Sequence, residues 1–171
     1  MVKIIGSIML VLGAGLLGTL ASMNLTVRER VLSGFARSLD LMHSEIGDYL
    51  TPLSELMLKL SQASAAPLDI FFKNCLNEMN EKPDMPFRLI WVKNIKRADY
   101  LKLRGEETEV IANLGNVLGR YGAREQKIAI EHAARCIESM SATAERDKKK
   151  LGGLYTKLGF LCGIAIVIVF I

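Results

Sequence analysis

"VLGAGLLG", Val11 to Gly18, sets Gly13, Gly15 and Gly18 in the order G-x-G-x-x-G. After a strand and before an amphipathic helix, such glycines turn tightly and bring a pyrophosphate to a helix N-terminus. Here the surroundings differ, because Ile4 to Val27 contains no charged residue. At ~1.5 Å per residue, its roughly two dozen positions exceed the ~30 Å of a bilayer core. Asp40 does follow Gly18 at the distance of a ribose-binding acid, but the chain between them must first finish crossing a bilayer. The cofactor reading fails, and the informative spacing becomes four. Ala14, Gly18 and Ser22 give a helix one flat face that lets another helix approach closely in lipid.

The other end of the chain has the same character. Leu158 to Ile171 is apolar, and the run reaches about 30 Å when counted from Leu151, with Tyr155 at the interface and Lys157 snorkelling. Gly159 and Gly163, again four apart, offer a second flat face. The two spans then pack on each other, or copies of the protein pack together. All 18 acids and 20 of the 22 lysines and arginines lie between Arg28 and Lys150. Arg28 and Arg30 follow the first span and Lys148 to Lys150 precede the second, so the charge bias places the middle in the cytosol and both ends across the membrane. The rival reading is a secretory signal peptide cut near Ser22, giving a secreted or surface-anchored helical binding module. The long apolar run and the arginines behind it oppose export.

Between the spans the apolar positions recur three and four apart. Val31, Phe35, Leu39, Met42 and Ile46 form one stripe, ending near Gly47. Thr51 is placed to cap a second helix with Pro52 at its first position, through Leu53, Leu56, Met57 and Leu60. Leu68, Phe71 or Phe72, Cys75 and Met79 make a third, ending before the loop "EKPDMP". A fourth helix runs from Phe87 through Leu101 toward Gly105, and a fifth through Val110, Ile111, Leu114, Val117 and Leu118 to Gly119 and Gly122. Gln126, Ile130, Ala133, Ile137, Met140 and Ala144 form a narrow seam on a sixth, which continues toward the second span with Gly152 and Gly153 as a kink or joint. The expected fold is all-α: a cytosolic bundle of about six helices over 28–150 between transmembrane helices at 1–27 and 151–171.

Chemistry is hard to find in this chain. His132 and Cys136 are spaced to share a metal, but a site needs a further ligand and the other histidine, His43, sits on a different helix. Glu106, Glu107 and Glu109 open a helix, where the macrodipole favours acids. Lys93, Lys96 and Arg97 around Trp91 read as a solvated face rather than a nucleic-acid patch. Three cysteines are no disulfide framework, and no nucleophile elbow, phosphate loop or zinc-protease motif occurs. No cofactor, no metal and no enzymatic activity are expected. With the middle in the cytosol, Cys75 and Cys136 are expected to escape a membrane-impermeant thiol reagent.

Three segments carry a resemblance: "SEIGDYLTPLSELM" (Ser44–Met57), "NLGNVLGRYGAREQKIAI" (Asn113–Ile130) and "KLGFLCGIAIVIVFI" (Lys157–Ile171). Together they resemble the stage III sporulation protein AB family, over nearly the whole length. Gly122 departs from the acidic residue expected there. The resemblance implies a relative of the F-type platform subunits of type II secretion and type IV pilus machines. It would sit in the mother-cell membrane around the forespore, within the stage III A–stage II Q channel complex. It implies a cytosolic partner, the ATPase-like stage III sporulation protein AA, and other stage III A membrane proteins beside it; no nucleic-acid partner is expected, because stacking aromatics are scarce and the charge is nearly balanced. The expected partner-binding residues are Glu45, Tyr49, Gly115, Gly119 and Gln126. Gly115 and Gly119 also read as close-packing positions within the bundle, and Glu45 as a residue paired with a neighbour.

Overall fold

The computed structural model describes the backbone of residues 2–170, and all side chains except those of residues 1–8, 10–12, 156, 160, 163 and 169–171. It is helical throughout: α1 Val2–Gly47, α2 Leu53–Ala63, α3 Leu68–Glu81, α4 Phe87–Lys96, a 3-10 turn Asp99–Leu101, α5 Gly105–Leu114 and α6 Ala123–Phe170. The chain separates into two compact units. One contains Met1–Glu29 and Thr143–Ile171, the other Arg30–Ala142.

The second unit is a helical bundle built from the expected stripes. Val31, Phe35, Leu39, Met42 and Ile46 are buried, as are Leu56, Met57 and Leu60, and α2 packs on α3, α3 on α4 and α4 on α5. Its centre is aromatic. Phe35, Phe71, Phe72 and Trp91 are fully buried, with the Phe71 and Trp91 rings edge-on at 4.9 Å. The indole N–H donates to the Ile111 carbonyl at 2.7 Å, so the polar atom of the tryptophan is satisfied inside the core. Trp91 is therefore no stacking platform, and the neighbouring Lys93 is committed to Glu78. Cys75 lies in the same core. Burial, with some help from Glu78, pushes its thiol up to about 12.

Three local expectations are corrected. Helix α5 ends at Leu114, not near Gly119: from Gly115 onward the N–H groups bond three residues back (Gly115 to Ala112, Asn116 to Asn113, Val117 to Leu114) in tight turns, which end where Gly119 takes φ +73°. Gly115 and Gly119 therefore do not share a helix face. Thr51 does not cap α2: Pro52 stands at that position, and the Thr51 hydroxyl donates to Glu45 instead. Helix α6 runs through Gly152 and Gly153 without interruption, since the ladder continues on both sides of them.

In the first unit, the buried residues along the apolar runs are small. Gly15, Gly18 and Gly152 are buried, and Arg28 is buried at the charged end, while Met9, Leu16, Leu17, Leu20 and Met23 are more than half exposed. A β-carbon at Gly159 would fall 2.7 Å from the Ala14 carbonyl oxygen and 3.1 Å from Gly18 Cα, so α1 and α6 touch backbone to backbone there. A β-carbon at Gly152 would fall 3.3 Å from Ser22 Oγ. The surroundings of Gly163, and the side chains of residues 4–8 and 10–12 of the expected first span, lie outside what is described. Among the described residues one helix, Ala123–Ile168 within α6, is long and apolar enough to cross a membrane.

Candidate functional site

The α1–α2 turn and the α5–α6 turn close one end of the bundle. Glu45, in the last turn of α1, is 9 % exposed. Its carboxylate accepts from Lys59 Nζ at 2.8 Å and from the Thr51 hydroxyl, and its carbonyl accepts the Thr51 N–H at 2.9 Å. Lys59, which also meets Glu55 at 3.2 Å, is the main reason the Glu45 carboxyl lies below its ordinary range, with Thr51 second. Lys59 is raised in return. A carboxylate held ionised this way is a fixed anion and a structural clasp, unsuited to carrying protons in a catalytic cycle.

Beyond this clasp the chain points outward. Tyr49 is 74 % exposed and Leu50 71 %, and Leu50 holds φ at 54°, where a side chain other than glycine is strained by ~1 kcal/mol or more. Two large side chains thus stand in water side by side on a strained turn.

The second turn reaches the same place. Gly119 has φ +73°, and a β-carbon there would meet Leu53 Cδ2 at 3.0 Å. Its N–H donates to Gln126 Oε1 at 3.1 Å, while Gln126 Nε2 donates to the Tyr121 carbonyl at 2.7 Å. One side-chain amide thus ties the start of α6 to the loop before it. Ile46, Leu50, Thr51, Leu53, Gly119 and Gln126 line one depression of ≈ 180 Å³, next to a shallow one of ≈ 480 Å³ bounded by Glu45, Tyr49 and Lys59. Of the five expected residues, four come together here. Gly115 lies apart, buried under Trp91. Sequence reasoning missed Leu50, Thr51 and Lys59. The apolar pair Tyr49-Leu50 just ahead of Pro52 was the available signal, since a loop rarely needs two large apolar residues.

Two polar contacts hold α1 and α6 in register near this end, a hydrogen bond between His43 Nε2 and Glu131 at 2.9 Å and a salt bridge from Lys127 to Asp48 at 3.1 Å. His43 is thus engaged away from His132, which lines an apolar groove of ≈ 580 Å³ between α5 and α6 with Val110, Val117, Tyr121 and Ile128. Among the described residues no three potential metal ligands cluster.

Residues 3–171 match the family of stage III sporulation protein AB. The chain belongs to the stage III sporulation protein AB family. It is 25% identical over 169 residues to the stage III sporulation protein AB of Bacillus subtilis (strain 168), covering 98% of each chain. No solved structure matches. Membership of a stage III sporulation family makes this a sporulation protein, and its long apolar helix agrees with membrane association.

Proposed function

We propose that this chain is a non-enzymatic platform subunit anchored in the mother-cell membrane around the forespore. Both ends cross the membrane and the bundle stands in the mother-cell cytosol. There it docks the ATPase-like stage III sporulation protein AA to the stage III A–stage II Q channel, alongside other stage III A membrane proteins. The docking surface is the bundle end where Tyr49, Leu50, Gly119 and Gln126 meet. The observation that carries this reading is the exposed Tyr49-Leu50 pair held out by the Glu45 clasp, beside a depression shared by two turns some seventy residues apart in sequence. Aromatic and apolar residues displayed on a fixed turn are typical anchors of a protein contact.

The test is co-purification of the full-length chain with the candidate ATPase, using Tyr49→Ala together with Leu50→Gly. Neither residue belongs to the buried core, and glycine relieves the positive φ, so the thermal melt is expected to hold or rise slightly while association falls at least ten-fold. Undiminished association with these variants would remove the bundle end from the interface. Sidedness is read at Cys136, which is half-buried, with an impermeant thiol reagent on intact mother cells. Labelling there without lysis would overturn the topology.

A further inference from the structure

The chain's surplus charge is confined to the unit that bears the apolar helices. Arg30–Ala142 contains fifteen basic and fifteen acidic residues and is neutral, whereas the remainder contains seven basic and three acidic. The whole net charge of +4 therefore belongs to the remainder. Within it, the three acids are each taken up. Asp147 pairs with Arg28 at 3.0 Å, Glu29 with Lys148 at 3.0 Å and Glu145 with Lys149 at 2.6 Å. Of the other four cations, the Lys3 side chain lies outside those described, and Arg146, Lys150 and Lys157 have no ion-pair partner among the described residues.

These three share one side of α6. At 100° per residue, positions 146, 150, 153 and 157 fall within a sector of about 60°. The residues that meet α1, Lys148, Gly152 and Gly159, lie roughly opposite. The basic track is thus the outer side of the helix pair, and Arg146, Lys150, Gly153 and Lys157 are all exposed. Gly153 interrupts the track with open space, since a β-carbon there would meet nothing within 4 Å. Side chains on a helix tilt toward its N-terminus, so Lys157, about 10 Å further along than Lys150, extends back toward the uncovered backbone at Gly153. The exposed apolar stretch Leu158, Leu161, Ile164 and Ile168 begins at the next residue. A phosphate placed beside Gly153 would therefore have cations above and below it and a hydrocarbon-facing surface adjoining.

We infer that Arg146, Lys150 and Lys157, arranged around Gly153, form a binding track for the headgroup phosphate of anionic phospholipid. This rests on the reading that α6 enters the bilayer. An anionic lipid satisfies both halves of the surface at once, its phosphate on the cations and its chains along Leu158 and Leu161; a soluble phosphate would satisfy only the first.

The experiment places the full-length chain in nanodiscs of equal phosphatidylglycerol and phosphatidylcholine and counts the lipids retained on the protein by native mass spectrometry. Retained phosphatidylglycerol is expected in excess over phosphatidylcholine on the order of five-fold, falling toward the bulk ratio in 0.5 M salt. The variant R146Q/K150Q/K157Q, with the paired Lys148 and Lys149 kept, is expected to lose the excess while its circular dichroism is unchanged. Retained lipids at the bulk ratio in the unaltered chain, or an undiminished excess in the triple variant, would overturn the inference. So would complete displacement of the lipid by 10 mM inorganic phosphate, which would make the track a site for the soluble ion. Alkaline carbonate extraction of the native membranes separates the two readings. A chain that stays in the pellet but shows no excess fails only the headgroup track, and a chain that is released fails both.

Discussion

The two units solve the packing problem in opposite ways. In the bundle the largest side chains are innermost, with Phe35, Phe71, Phe72 and Trp91 fully buried. In the other unit Gly15, Gly18 and Gly152 are inside, while Leu16, Leu17 and Leu20 stand outside. Water rewards removal of apolar area at roughly 25 cal/mol per Å², so a bundle in water buries its bulk. Lipid gives no such reward, and helices gain by bringing backbones together, which small residues permit. The side chains inside each unit thus separate the two more sharply than composition does, because 33 of 58 residues in one and 53 of 113 in the other are hydrophobic.

Substitutions that exchange the two solutions should fail where they are moved. The largest effect is expected for Trp91→Ala, which empties the aromatic centre and leaves the Ile111 carbonyl without its donor. A loss of about 3–5 kcal/mol is expected, read by chemical denaturation of the full-length chain in detergent. A loss under 1 kcal/mol would mean that the core does not depend on its ring cluster. Next is Glu78→Gln, since this carboxylate takes bonds from Lys93, Lys82 and Asn94 on two helices. A loss of about 2 kcal/mol is expected.

The same group gives the bundle a pH dependence of known sign. Lys93 first, then Lys82, hold the Glu78 carboxyl down from 4.5 to about 2. A carboxyl depressed in the folded state stabilises it fully above the unfolded value, so this contribution is intact at neutral pH and fades as pH falls from 4.5 toward 2. Melting the Gln variant alongside the parent chain at pH 7 and pH 3 should show the difference between them narrowing in acid. An equal gap at both values would break the assignment.

In the other unit Gly159→Ile forces a branched side chain against the Ala14 carbonyl. The expected loss is about 1 kcal/mol of helix pairing, with the bundle's own melt untouched. The readout is a disulfide between cysteines placed at Ser22 and Gly152, which should form readily in the parent chain and poorly with isoleucine present. Smallest is Leu17→Ala on the outward face, expected to change the same cross-link by less than about 0.5 kcal/mol. A large effect there would show that Leu17 packs against protein.

The sequence periodicity foretold the bundle stripes almost residue by residue, because positions three and four apart on a helix share a face whatever it later meets. The ends of the helices were less legible. Helix α5 stops at Leu114 although the apolar spacing runs on to Leu118, because the bonds after it tighten to three residues back, and the glycine at 115 answers to Trp91, a partner 24 residues away that no local pattern names. Thr51 has the residue type of a cap and the wrong neighbour, since Glu45 already claims its hydroxyl. The bundle-end constellation was half legible: the sequence points to Glu45, Tyr49, Gly119 and Gln126, but their meeting at one end of the bundle depends on the approach of two turns. Leu50 had a signal in the Tyr49-Leu50 pair ahead of Pro52, whereas Lys59 became visible only through its ion pair.

Cys75 turns its concealment into a stopwatch. With no surface in water and a thiol raised to about 12, it is silent toward an alkylating reagent on either side of a membrane while the bundle is closed. It therefore carries no information on sidedness, which falls to Cys136. Each modification of Cys75 must instead count one opening of the centre. When reclosure outpaces the reagent, the ratio of its rate to that of an unfolded peptide is the equilibrium constant for opening. Followed with and without a candidate partner in intact membranes, the rate at that single sulfur would report how much the partner steadies the bundle, without purification.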